Sequence, residues 1–248
     1  MNLSDQELER YARHIVLPQV GGVGQRKLKA ASLAVVGAGG IGSAVIPALA
    51  GAGVGRLTII DDDVVELGNL HRQPLFRERD AGYSKADLAL QFVQRLNHFV
   101  TAKPIQARIG QENARELLAG HDLVIDGSDN FATRLAVGDA CVELAIPILS
   151  AAAVQFQGQI GLFRSQPCYR CFVGDAFDAD DCDNCAELGV LGALTGTVGS
   201  FAALLAINLI VGVGEDPAGK VHVFDGEKLD WRQIRIPRDP GCRACGSA

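Results

Sequence analysis

Through the first 154 residues, short apolar runs of strand length alternate with longer stretches of helical spacing. Leu33 to Val36 is β-branched and reads as a strand, and Leu57 to Ile60 reads as a second. Between them lie the turn Gly37-Ala38-Gly39-Gly40-Ile41-Gly42 and an Ala-rich stretch that predicts a helix. Pro47 falls inside that helix, and the pattern offers no account of it. Strand, glycine turn, helix, strand is one βαβ unit. The same grammar continues in a helix over 85–99, a strand over 103–109, a short helix over 113–119 and a strand over 122–126. A helix over 131–145 and an extended stretch over 147–154 complete this half. Repeated β-then-α units predict a mostly parallel, Rossmann-like α/β sheet with helices on both faces.

Ahead of this unit, Ser4 with Glu7 three residues later is a capping box, which predicts an amphipathic helix over 5–15. A turn-rich stretch over 18–24 and a short helix over 25–31 lead into the first strand. After Asp61 comes a polar segment, DDVVELGNLHRQPLFRERDAGYSKAD, whose charge and lack of period predict a functional loop without packed structure. Beyond Val154 the grammar changes. Strands over 159–163, 221–224 and 231–236 lack crossover helices and predict an antiparallel extension. The organisation expected is an amino-terminal helical segment (1–31), a nucleotide-binding α/β domain (32–154) and a carboxyl-terminal subdomain (155–248).

The stretch from Leu188 to Gly214 carries no charged residue and meets the length criterion for a membrane span. It is rich in Gly and Thr, carries Asn208 and has acidic flanks, so a buried helix over 197–213 is expected. The net charge of −6 and the scattered Lys and Arg argue against a nucleic-acid surface. The polar amino terminus lacks the apolar core of a signal peptide, so a reducing, cytoplasmic setting is expected, with no membrane partner.

The chemistry starts at the glycine turn. Glycines there permit a tight turn and let a phosphate approach bare amides at the positive end of a helix. Asp61 closes the second strand about 20 residues on, where a carboxylate accepts hydrogen bonds from ribose hydroxyls. Asp129, in Gly127-Ser128-Asp129-Asn130, follows the fourth strand and falls on the same sheet edge. It is a plausible magnesium ligand, with a helix N-cap by Ser128 or Asp129 as the competing role. An NAD-dependent oxidoreductase or dinucleotide-binding module would use the turn and Asp61. It would not need Arg72, Lys85 and Asp129, which together suit ATP, magnesium and departing pyrophosphate. Adenylyl transfer is the inference.

Six of the seven cysteines form three C-x-x-C pairs: Cys168/Cys171, Cys182/Cys185 and Cys242/Cys245. Two such pairs suit tetrahedral zinc, and any two could make the site. The first and last pairs share a turn setting after Pro or Pro-Gly and are the preferred ligands. The middle pair follows an acidic tract, which raises a thiol pKa and argues against a permanently activated nucleophile. Cys141 lies in an apolar helix and reads as core.

The motifs RYARHI, VGAGGIG, IIDDD, GNLHRQ, Lys85, GSDN, Gly158-Gln159, CYRC, NCAELGV and GCRAC span essentially the whole chain. In this set the chain resembles the bacterial ubiquitin-activating-enzyme-like family, the ThiF and MoeB enzymes that adenylate small sulfur-carrier proteins. The resemblance implies that a carrier's Gly-Gly carboxylate attacks the α-phosphate of ATP, with release of pyrophosphate. It implies Asp61 on the ribose, Asn69, Arg72 and Lys85 on the phosphates, and Asp129 on Mg²⁺. Gly37, Gly39, Gly40, Gly42, Asp63, Gln73 and Asn130 complete the expected nucleotide site. Arg13 would reach the partner's ATP in a symmetric homodimer, and Cys168, Cys171, Cys242 and Cys245 would hold zinc. Cys185, in the position of the family's crossover-loop cysteine, would act in sulfur transfer or be dispensable, since members differ; Cys182 departs from the pattern. With no rhodanese-like domain after Cys245, a separate sulfur-donor protein is expected. The DDD triplet, AVQFQGQ, and FDG before Trp231-Arg232 lean to the thiamine branch over the molybdopterin one.

Overall fold

The computed structural model describes residues 2–174 and 189–246. Cys182 and Cys185 lie outside the described residues. An eight-stranded sheet runs in the order β3-β2-β1-β4-β5-β6-β7-β8. Its parallel part comprises β1 (Ser32–Val36), β2 (Arg56–Ile60), β3 (Thr101–Ile105), β4 (Leu123–Asp126) and β5 (Ile148–Val154). The antiparallel part continues the same sheet through β6 (Gln157–Phe163), β7 (Lys220–Asp225) and β8 (Asp230–Arg235). The expected parallel sheet with an antiparallel extension is present.

Helices cover both faces, as crossovers of parallel strands require. In chain order they are α1 (Asp5–Arg10), α2 (Ala12–Ile15), α3 (Gly21–Ala30), α4 (Gly42–Ala52), α5 (Lys85–Leu96), α6 (Ala114–Leu118), α7 (Phe131–Glu143), α8 (Tyr169–Val173) and α9 (Gly192–Val211). On one face Leu33, Val35, Ile46, Leu49, Ile59 and Val198 pack into a single core. On the other, Ala34, Val36, Ile60, Val137, Phe163 and Tyr169 form a second. Each strand therefore buries both faces, which is why β1 reads as an unbroken apolar run. Burying a Leu or Ile side chain here contributes roughly 1.5–3 kcal/mol.

Several boundaries differ from the sequence pattern for identifiable reasons. The expected helix over 5–15 breaks at Tyr11, whose φ of −99° and ψ of 14° are not helical. Tyr11 is buried over Gly53, where a Cβ would lie 2.5 Å from its ring. Its hydroxyl accepts a bond from Asn97 Nδ2 at 2.8 Å, so the turn is dictated by docking onto the end of α4 and not by propensity. The helix expected over 25–31 begins at Gly21. The strand expected over 103–109 starts two residues earlier and ends four earlier, in register with β2 from Thr101 to Ile105. Pro47 is accommodated inside α4, which continues to Ala52 and closes on Gly53 with φ of +80°.

The segment after Asp61 is the clearest correction, because it is packed. Val65, Gln73, Leu75 and Phe76 are buried, and 3-10 turns form at Leu67–Asn69 and Glu78–Asp80. Its apolar anchors are too few and too irregularly spaced for a period to reveal them. The charge-free stretch forms α9, longer at its start than expected. Val198, Gly199, Ala202, Ala203 and Ala206 are buried along one side, while Leu204 on the other is 52% exposed. This helix is long and apolar enough to cross a membrane, but its buried side belongs to the core shared with α4 and the sheet.

Candidate functional site

Strand order places β1 between β2 and β4, so connections leave in opposite directions and open a crevice at their carboxyl ends. Three loops meet there. Gly37, at the end of β1, has φ of +87°, and a Cβ on it would press the Gly127 carbonyl after β4 at 3.1 Å. A Cβ on Gly42 would overlap the Gly37 carbonyl, and one on Gly40 would meet Thr195 of α9 at 3.0 Å. The turn is thus closed from three sides. Its helix, α4, starts at an N-cap, Ile41, that offers no side-chain bond. Backbone amides at such an end are available to an anion.

Asp61 is 9% exposed and ties the turn to β2. Its Oδ2 accepts from the Ala38 amide at 2.6 Å and its Oδ1 from the Asp63 amide at 2.9 Å. Burial pushes its pKa up, against the opposing effects of the Ala38 bond and the Lys85 charge. Lys85 opens α5 and is buried, donating from Nζ to Asp63 Oδ2 at 2.8 Å. Gln73 lies against the turn, its Nε2 3.5 Å from where a Gly39 Cβ would stand. That Nε2 donates to Asn69 Oδ1 at 3.0 Å, while the buried Gln73 Oε1 has no partner in the described structure. A buried acceptor without a donor costs about 1–3 kcal/mol. Only a donor, such as a water or a ligand hydroxyl, can satisfy it; a phosphate oxygen cannot.

Arg72 is half-exposed, and its hydrogen bonds among the described residues are long, Nη1 donating to the Gly68 carbonyl at 3.5 Å and to His71 Nε2 at 3.4 Å. A Cβ on Gly192 would overlap the His71 carbonyl, so the start of α9 presses on this loop. Asp129 is exposed on the β4–α7 loop. The competing cap role falls to Asn130, whose Oδ1 accepts from the Thr133 amide at 2.8 Å. The carboxylate of Asp129 is therefore free of capping, and the Asn130 oxygen is engaged in it. Asp61, Asp63 and Lys85 are linked to one another, Gln73 and Asn69 lie against the turn, and Arg72 and Asp129 stand on the loops that follow β2 and β4. Sequence reasoning missed Thr195 and Gly192, which close the turn from a helix more than a hundred residues away and carry no local signal.

Arg13 is not part of this cluster within one chain. It is exposed on α2, at the end of the molecule where Tyr11 covers Gly53. That is the far end of α4, about 16 Å from the glycine turn at 1.5 Å per residue.

A second cluster joins Cys168, Cys171, Cys242 and Cys245, whose Sγ atoms all lie within 4.8 Å of one another. Separations of 3.9 Å (Cys168 to Cys171), 3.6 Å (Cys168 to Cys242) and 3.4 Å (Cys171 to Cys245) match the roughly 3.8 Å of a tetrahedral site with 2.3 Å zinc–sulfur bonds. Of the pairings open from sequence, the first and last C-x-x-C pairs are the ones brought together. Burial pushes the Cys168 thiol up strongly and Cys245 up as well. Burial also opposes ionisation of Cys242, but amide donors from Cys245 and Ala244 outweigh it and bring that thiol down. Such a donor set fits a thiophilic divalent metal.

Glycine turn, acidic strand end, cationic loop and exposed carboxylate on one switch point define a nucleotide-binding α/β protein of the phosphate-cradling kind. Comparison with known proteins narrows this. Residues 11–244 match the ThiF family, and this chain belongs to it. It is 42% identical over 253 residues to the sulfur carrier protein adenylyltransferase of Thermus thermophilus, covering 99% of this chain and 93% of the relative. It is 38% identical over 247 residues to the molybdopterin-synthase adenylyltransferase of Salmonella typhimurium, covering 98% of each. The fold is also that of E. coli MccB crystallised with ATP, with a TM-score of 0.84 at 23% identity over 98% of this chain and 75% of that one. Family membership sets aside the oxidoreductase alternative.

Proposed function

We propose that this chain adenylates the carboxyl terminus of a small ubiquitin-like sulfur-carrier protein, using ATP and releasing pyrophosphate. What supports it is an uncapped glycine turn with Gln73 against it, together with Arg72, Lys85 and Asp129 on the segments that follow β2 and β4. In this reading the α4 amides and the Gln73 amide receive the phosphates, and Asp61 and Asp63 face the ribose. A magnesium ion held at Asp129 would neutralise charge on the phosphates. The carrier's carboxylate oxygen bonds to the α-phosphorus as the bond to the bridging oxygen of pyrophosphate breaks. Arg72 and Lys85 stabilise the charge that develops on the departing group.

The same reading makes the enzyme a homodimer and gives Arg13 its role. The outward side of α9, with Gly196, Ser200, Phe201 and Leu204, borders an open apolar groove beside Trp231. One end of α9 presses on the nucleotide edge through Gly192 and Thr195. The other end meets α3, where Lys27 Nζ donates to the Val211 carbonyl at 2.6 Å. A two-fold copy packed antiparallel along this side exchanges the ends, bringing the partner's α2–α3 region over this chain's nucleotide edge. Arg13 would then face ATP across the interface.

Zinc in the four-cysteine cluster is structural in this reading. Sulfur would come from a separate donor protein, with Cys185 either taking part in the transfer or dispensable, and the thiamine branch is favoured over the molybdopterin branch. The test is ATP–pyrophosphate exchange with magnesium against thiamine-type and molybdopterin-type carriers, each intact and lacking its terminal glycine. Exchange with one intact carrier and not its truncated form supports the function and assigns the branch. Absence of exchange with every carrier overturns it.

A further inference from the structure

One buried charged pair beneath the nucleotide edge has no part in the chemistry above. Arg134, on α7, is 8% exposed, and Asp126, at the end of β4, is fully buried. Between them they hold Ser128, the residue before Asp129. Asp126 Oδ1 accepts from the Ser128 amide at 3.0 Å and from the Ser128 hydroxyl at 2.7 Å. Arg134 Nη2 donates to the Ser128 carbonyl and, at 3.1 Å, to the Ala151 carbonyl of β5. Its Nη1 donates to Ser150 Oγ at 3.2 Å. The Tyr169 side chain lies beside Arg134 and Ser150 and interacts with both.

Every polar group of Ser128 is thereby fixed from below, on the donor side by the carboxylate and on the acceptor side by the guanidinium. Of the loop's polar side chains Asp129 is the exposed one, Asn130 being half-buried and engaged as the cap of α7. Burying an arginine is costly unless its donors are used, and a simple packing role would be filled more cheaply by an apolar residue of similar volume. The planar guanidinium does what no apolar residue or lysine can, reaching two backbone carbonyls and a hydroxyl on separate elements at once. Burial disfavours its charge, but Asp126, Tyr169 and Asp129 together outweigh burial and hold its pKa above the ordinary value.

We propose that Arg134 is a positioning residue for magnesium: by clamping the Ser128 carbonyl against β5, it holds Asp129 in the one orientation that serves the cation. The proposal rests on Asp129 being the magnesium ligand. It separates binding of the metal from binding of the nucleotide, because among the described residues the hydrogen bonds of the Arg134 and Ser128 side chains go to Asp126, Ser128, Ser150 and Ala151 and not to the glycine turn.

The experiment is calorimetric titration of the intact protein with ATP, without any carrier, once with magnesium and once with EDTA. The quantity read is the magnesium enhancement, the ratio of the two dissociation constants. Wild type should show it, and Asp129→Ala should abolish it. Arg134→Lys keeps the charge but loses the fork; it should cut the enhancement at least about fivefold and leave ATP affinity in EDTA unchanged. Tyr169→Phe removes only a partner of the guanidinium, and it should cut the enhancement by about twofold; it carries the test if Arg134→Lys does not fold. An unchanged enhancement in the folded variants overturns the positioning role. So does an equal loss of affinity with and without magnesium, which would mark Arg134 as a general support of the fold. No enhancement in wild type would remove the magnesium ligand itself, a different failure with a different signature.

Discussion

The two edges of the sheet are crossed by the same helices but finished in opposite ways. At the amino edge, the polar groups exposed by the ends of α4 and α9 are met by the chain itself. Asn97 Nδ2 donates to the Ala50 carbonyl at 2.7 Å, Gln25 Nε2 to Ala52 at 2.8 Å and Lys27 Nζ to Val211 at 2.6 Å. At the carboxyl edge the start of α4 has no side-chain cap, Gln73 Oε1 has no donor, and Asp129 stands in solvent. Satisfied termini hold a fold together, whereas open ones cost stability and are kept where a ligand completes them. Substitutions at the two edges should therefore separate activity from stability.

The largest effect is expected at the open edge. Arg72→Ala removes a half-exposed cation with no short hydrogen bond, and should lower pyrophosphate exchange by about 10²–10³-fold, or roughly 2.7–4 kcal/mol. Its unfolding free energy should stay within about 0.5 kcal/mol of wild type by denaturant titration. A matching loss of stability would mean that the loop is structural first and would erase the contrast between the edges.

The satisfied edge should behave in the reverse sense. Asn97→Ala strips donors from the Ala50 carbonyl and the Tyr11 hydroxyl, both buried, and should cost about 2 kcal/mol in denaturant melts. Nucleotide binding per folded molecule should be unchanged, since Asn97 lies at the end of α5 remote from the glycine turn. Weakened ATP affinity measured well below the unfolding transition would show that the two edges are not independent.

Why one edge was legible from sequence and the other was not follows from the same contrast. The glycines, Asp61, Arg72, Lys85 and Asp129 sit in short contiguous motifs, because a ligand is gripped by loops that follow strands directly. The sheet was legible because β1, β2 and β4 are buried on both faces and so read as continuous apolar runs. The amino edge is built from pairs distant in sequence, such as Tyr11 with Asn97 and Gln25 with Ala52, none of which leaves a local pattern. The packed loop after Asp61 was missed because charges outnumber its few buried anchors. The four-cysteine set was preferred in sequence from the shared turn setting of its two pairs, and among the described residues those four sulfurs do lie together. Arg134 did leave a trace, a lone cation in the apolar run of α7.

The smallest effect expected is a pH dependence at the amino edge. Glu7 is the buried residue of α1, where its Oε2 accepts from the Ser4 amide at 2.8 Å and from Lys29 Nζ at 2.7 Å. Burial alone would raise its pKa, but Lys29 and the Ser4 donors outweigh it and hold the carboxyl below its ordinary value of 4.5. A carboxyl with a depressed folded pKa lends stability that is complete above 4.5 and is lost as pH falls through the folded value. Glu7→Gln should therefore lower Tm at pH 7 by about 2–4 °C, or roughly 1 kcal/mol, with the gap to wild type closing as the pH drops below 4.5. A gap that stays constant down to pH 3 would mean that the segment is held by Tyr11 packing and not by the ionised carboxylate. Because this segment carries Arg13, the variant should also lower exchange by a few-fold at pH 7. That effect would be the one point at which the closed edge of one protomer serves the open edge of its partner.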